Sequence, residues 1–78
     1  MNRHLDVREL PAPEPMLRIL EAVSTLAPGE SLLVHHNRIP HLLYPRLTER
    51  GLTVETNVPQ DGEILLTIHR PPQANTLP

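Results

Sequence analysis

The strongest constraint on the fold is the spacing of apolar residues, which switches along the chain between the period of a strand and the period of a helix. Leu5 and Val7 alternate with His4, Asp6 and Arg8, the pattern of a strand with one buried face. Behind Pro15, the residues Met16, Ile19, Leu20, Val23 and Ala27 follow helical spacing, and Pro28-Gly29 stops that helix. The connection between them is stiff, because Pro11, Pro13 and Pro15 fix φ and remove amide donors. Ser31 to His36 reads as a second strand, and the consecutive Leu32, Leu33 and Val34 predict a central position partly covered on both faces. Leu42, Leu43 and Leu47 predict a short second helix capped by Gly51, starting near Leu42 or Leu43 because Pro45 is tolerated only in a first turn. Leu52, Val54, Thr56 and Val58 alternate up to Pro59-Gln60-Asp61-Gly62, and Ile64, Leu66 and Ile68 resume the alternation, which is a hairpin.

The resulting order is β-α-β-α-β-β. Right-handed crossovers put both helices on the same side, so the fold class expected is an α/β (α+β) two-layer sandwich with a four-stranded mixed sheet and two helices on one face. Seventy-eight residues suffice for one core only. Residues 4–70 are read as that single domain, and the polar, proline-rich residues 71–78 as a disordered tail.

Composition removes several function classes. Without cysteine there is no disulfide, no thiolate nucleophile and no zinc-thiolate or iron-sulfur site. There is no Phe or Trp and a single Tyr, so the core must be aliphatic and the usual stacking platforms for bases are missing. Acids outnumber arginines nine to seven and lysine is absent, so no strong positive field gathers a polyanion, and no nucleic-acid partner is expected. No apolar run approaches the roughly 20 residues of a bilayer span, and the first residues show no secretory stretch, which makes a cytoplasmic location and no membrane association the expectation.

Leu5-Asp6-Val7-Arg8-Glu9-Leu10-Pro11-Ala12-Pro13-Glu14-Pro15-Met16, followed by Leu26-Ala27-Pro28-Gly29-Glu30-Ser31-Leu32, resembles the TusA/SirA-like sulfur-carrier superfamily. Members open on a Leu-Asp-x-Arg-Gly-Leu strand, enter the first helix through Cys-Pro-x-Pro, and carry Pro-Gly-Glu-x-Leu into the second strand. The resemblance covers about the first half of the chain, and His36-Asn37-Arg38-Ile39-Pro40 is similar to an uncharacterised bacterial branch that lacks the cysteine. It implies a TusA/SirA-like sheet with the fourth strand antiparallel to the others, in spatial order one, two, four, three. It also puts Pro13-Glu14-Pro15 on the Pro-x-Pro positions and Ala12 on the position of the persulfide-bearing cysteine. A methyl group neither ionises nor accepts sulfur, so the resemblance implies the fold without the carrier activity. Glu9 stands where the carriers have Gly.

The first three strands would end at one edge of the sheet, the edge at which the carriers work. A binding edge of Arg8, Glu14, His36 and Arg38 is therefore expected beside the degenerate motif Ala12-Pro13-Glu14-Pro15. His35, Glu9, Asp61 and Glu63 would lie nearby, and His4 and His69 at the opposite end. The ordinary roles for the histidines are a His36 hydrogen bond to a loop backbone, with His35 and His41 in solvent. The alternative is a transition-metal site of His36, His41 and a carboxylate, Glu14 or Glu9. An anion site between Arg8 and Arg38 is disfavoured, because the prolines deplete the amide donors of the helix start and surface pairing with Asp6, Glu9 or Glu14 competes. No nucleophile motif and no glycine-rich phosphate loop occurs, so neither catalysis nor a bound cofactor is expected. The function expected is a non-enzymatic binding or regulatory module with a protein partner, as a monomer or weak homodimer. Docking onto a partner's cysteine in a sulfur relay is a third reading, and Leu65 with the Leu32–Val34 run is the candidate patch on the uncovered sheet face.

Overall fold

The computed structural model describes residues 2–72. Its elements run β1 (Asn2–Asp6), α1 (Glu14–Val23), β2 (Ser31–His36), α2 (Leu43–Glu49), β3 (Thr53–Gln60) and β4 (Glu63–His69). The strands form one four-stranded sheet in the order β1-β2-β4-β3. β1 and β2 are parallel, while β4 runs antiparallel to both β2 and β3. The expected two-layer α+β architecture is thus present, with the fourth strand inserted between the second and third.

One aliphatic core joins the layers. Ile19 and Val23 of α1 and Leu43 and Leu47 of α2 meet Leu32 and Val34 of β2 and Ile64, Leu66 and Ile68 of β4. Burial alternates strictly along β2 and β4, which assigns Leu32, Val34 and His36 to the helix side. Leu33 and Leu65 lie on the opposite face and are half-buried. The three-residue apolar run in β2 therefore reflects a central strand with unequally covered faces: of the run, only Leu33 joins Leu65 on the open side, and Leu32 and Val34 are core.

Several boundaries differ from the sequence expectation. β1 begins earlier and ends at Asp6, and Val7 reaches the core from the turn beyond it, its N–H still donating to the His35 carbonyl at 3.0 Å. The strand pattern is extended toward the N-terminus by Arg3, whose guanidinium caps α1 on the Ala22 carbonyl at 2.7 Å. Helix α1 stops at Val23 and not beside Pro28, because the Ser24 and Thr25 hydroxyls turn back onto the carbonyls of Glu21 and Ala22. Leu26, not Ala27, then closes the core. Helix α2 starts after Leu42, which is the N-cap and points outward, and Arg50 and Gly51 end it with Gly51 at φ 75°. Pro59 and Gln60 belong to β3, so the hairpin turns on Asp61-Gly62 alone, with Gly62 at φ 78°. Of the expected disordered tail, Pro71 and Pro72 line a cleft near the end of the sheet where Ser31 pairs with His69, and the remainder lies outside the described residues.

Candidate functional site

The site is built where β1 and β2 end. Beyond β1 the chain turns at Asp6, whose carboxylate accepts from the Arg8 backbone N–H at 3.0 Å and from its guanidinium at 2.9 and 2.7 Å. The hydrogen bonds from the Arg8 guanidinium and backbone N–H, with the Arg8 charge behind them, hold the Asp6 carboxyl well below the usual carboxylate range, although the pair lies in solvent. Asn37 donates its side-chain amide to the Arg8 carbonyl at 2.8 Å, which ties the loop after β1 to the loop after β2.

The proline segment comes next. The Ala12–Pro13 peptide is cis, and the Glu14 N–H donates to the Pro11 carbonyl at 2.9 Å. Pro13 and Pro15 have no N–H, so most amide donors at the start of α1 are absent or spent. Across from this segment, His36 is 4% exposed. Its Nδ1 accepts from the backbone N–H groups of Asn37 at 2.9 Å and Arg38 at 3.3 Å, which assigns the neutral ring's proton to Nε2. Burial pushes its pKa down; the Asn37 side chain opposes this and the Arg38 charge reinforces it.

Between the proline segment and the loop from Asn37 to Leu42 runs a groove of about 400 Å³. Pro11, Ala12 and Pro13 form one wall, Ile39, Pro40 and Leu42 the other, with Met16 and Leu43 at the base. His36, Arg38 and His41 are its polar groups. Among the described residues the large apolar side chains left exposed are Leu17, Ile39, Leu42 and Val58, so two of the four line this groove. Arg38 has no ion pair among the described residues, whose salt bridges are Arg8–Asp6 and Arg18–Glu14.

The residues expected at a binding edge are therefore divided. His36, Arg38, Ala12, Pro13 and Pro15 come together, and His41 joins them. Arg8 is turned to Asp6, and Glu14 is turned along α1 to Arg18 at 3.3 Å, so neither lines the groove. His35 projects onto the open sheet face, where its ring stacks with His4 at 6.4 Å between centroids. Glu63 meets Gln60 at 3.2 Å in the hairpin. Among the described residues no group of three His, Asp or Glu side chains is placed to hold a metal ion, so His36, His41 and Glu14 or Glu9 are not gathered as ligands.

Apolar periodicity does not mark the Ile39–Leu42 wall as a site. Leu42 fitted the helical stripe with Leu43 and Leu47, yet only the latter pair, one turn apart, faces the core, while Leu42 is 77% exposed. The available signal was Ile39, an apolar residue in a loop between Arg38 and Pro40, outside any periodic pattern.

A family described as an uncharacterized conserved protein, DUF2249, matches residues 4–70. The chain belongs to the DUF2249 family. No curated protein and no solved structure matches it. The match takes in all the groove residues of this DUF2249 chain, from Leu10 to Leu43. Among the described residues no helix is long and apolar enough to cross a membrane.

Proposed function

We propose that this DUF2249 domain is a cytoplasmic, non-enzymatic binding module whose groove between Pro11–Pro13 and Ile39–Leu42 docks a protein partner. The observation that carries the reading is the exposure of Ile39 and Leu42 in the wall of a groove that Pro11, Pro13, Pro15 and Pro40 also line. Apolar side chains held at a rigid surface gain from association by losing water, and prolines lose little chain entropy when covered. The unpaired Arg38 at the rim favours a partner segment with an apolar anchor and a neighbouring carboxylate.

The resemblance to TusA/SirA sulfur carriers supports the same location. By that resemblance Ala12, in the groove wall, stands at the carriers' thiol position, so a docking surface is retained and the sulfur-bearing atom is not. The test is a displayed peptide library selected on the wild-type domain and counter-selected on Leu42→Glu. Enrichment of apolar-acidic segments that Leu42→Glu no longer retains supports docking here. Peptides retained equally by Leu42→Glu would remove the proposal.

A further inference from the structure

At the opposite end of the sheet, where Ser31 pairs with His69, lies a second cleft of about 590 Å³. It sits between the ends of α1 and α2 and the chain leaving β4, and Arg50 and Arg70 line it. Ser24, Leu26, Pro28, Gly51, Pro71 and Pro72 complete the lining, so no acidic residue lines it among the described residues. Neither arginine is in an ion pair among the described residues.

Arg70 is locked in place. Its backbone N–H donates to the Glu30 carbonyl at 3.0 Å and its carbonyl accepts from Gly29 at 2.7 Å. Its Nη2 donates to the Val23 carbonyl at 3.1 Å, beside the Ala22 carbonyl that holds Arg3. Its Nε is buried with no hydrogen-bond partner among the described residues. Arg50 spends one Nη on the Arg46 carbonyl at 2.8 Å. A guanidinium carries five N–H donors, so single carbonyl contacts orient these groups and leave most of their donors unspent. The Arg70 Nε is sealed from solvent, so the donors left for the cleft are those on its Nη atoms and on Arg50, and cationic N–H groups of this kind match an oxoanion.

We propose that this cleft is a binding site for a small-molecule oxoanion of the phosphate and sulfate class, held between Arg50 and Arg70. The site is independent of the groove and lies at the other end of the sheet from it. The carbonyls at the end of α1 position one guanidinium, the end of α2 presents the other, and the acid-free lining leaves their charge for a ligand.

The test uses the isotope-labelled whole chain, titrated with inorganic phosphate and separately with sulfate while sodium chloride holds ionic strength constant. The readouts are the arginine Nε–H resonances and the Ser24 and Gly51 amides. The expected result is saturable movement of the Arg50 and Arg70 signals with both anions, while Arg38 and Ile39 in the groove stay still. Arg50→Gln changes an exposed side chain and should keep the fold, while weakening binding roughly tenfold, the worth of one charged hydrogen bond at a half-open site. Phosphate binding without sulfate binding would narrow the class to phosphoryl groups and still support the site. Non-saturating shifts spread over Arg18, Arg38 and Arg46 alike, or unchanged affinity in Arg50→Gln, would overturn the proposal.

Discussion

His36 is the one buried polar side chain among the described residues, and its neutral form is what the fold holds. Because its folded-state pKa lies below the unfolded value of about 6.5, the unfolded chain takes up a proton first as pH falls. Its contribution to stability is therefore complete above that value and declines as pH drops toward the folded pKa. Urea unfolding between neutral pH and pH 5 should show stability falling with acid, and less steeply in His36→Asn, whose Oδ1 can still accept from the following amides. An equal pH slope in both proteins would mean that His36 is not the acid-sensitive group. Ala12 gives a second test at this scale. It is exposed in the groove wall, so Ala12→Cys should fold unchanged and its thiol should react with a small disulfide reagent nearly as fast as a free thiol; slow labelling would contradict the groove's openness. The loop hydrogen bond of His36 was legible from its position at a strand end. The fates of Arg8 and Glu14 were not, because several partners lay within reach and the choice of Asp6 and Arg18 is geometric.

At the scale of elements, helix and strand identities followed from the periods of apolar residues, and the boundaries did not. Ser24 and Thr25 ended α1 through their own hydroxyls, a local competition that periodicity does not register. Arg3 holds a part-buried strand position from which its head reaches the Ala22 carbonyl, so a polar residue masked the true start of β1. The cap of α2 was legible: Pro45 confines the start and Gly51 takes φ 75° after it. A methyl at Gly51 meets nothing within 4 Å, so Gly51→Ala costs only its backbone conformation. Thermal or urea unfolding should show a loss of about 1 kcal/mol with no change in the spectrum of the fold. A loss near zero would imply that the cap adopts another conformation in solution.

For the whole molecule, the absence of Phe and Trp places the energetic weight on aliphatic packing between sheet and helices. Leu66 is fully buried at the centre of β4, between β2 and β3. Leu66→Ala should cost about 2–5 kcal/mol, a large share of the about 5–15 kcal/mol by which small domains are stable, and chemical denaturation measures it directly. Leu33→Ala, on the open face, should cost clearly less; equal losses would contradict the assignment of faces. The placement of both helices on one side was accessible from the element order, since crossover handedness leaves few alternatives, and the sheet order from what the resemblance implied. The groove was not, because it arises between two loops joined by the Asn37 to Arg8 contact, a tertiary hydrogen bond with no trace in local pattern.

Recognition through this groove is tested most directly by an amide chemical-shift map of the labelled domain with a selected apolar-acidic peptide. Docking in the groove predicts shifts concentrated on residues 10–17 and 36–44, lost in Leu42→Glu and weakened in Arg38→Glu. Shifts centred instead on Leu33, Leu65 and Thr67 would place recognition on the open face of the sheet and contradict it.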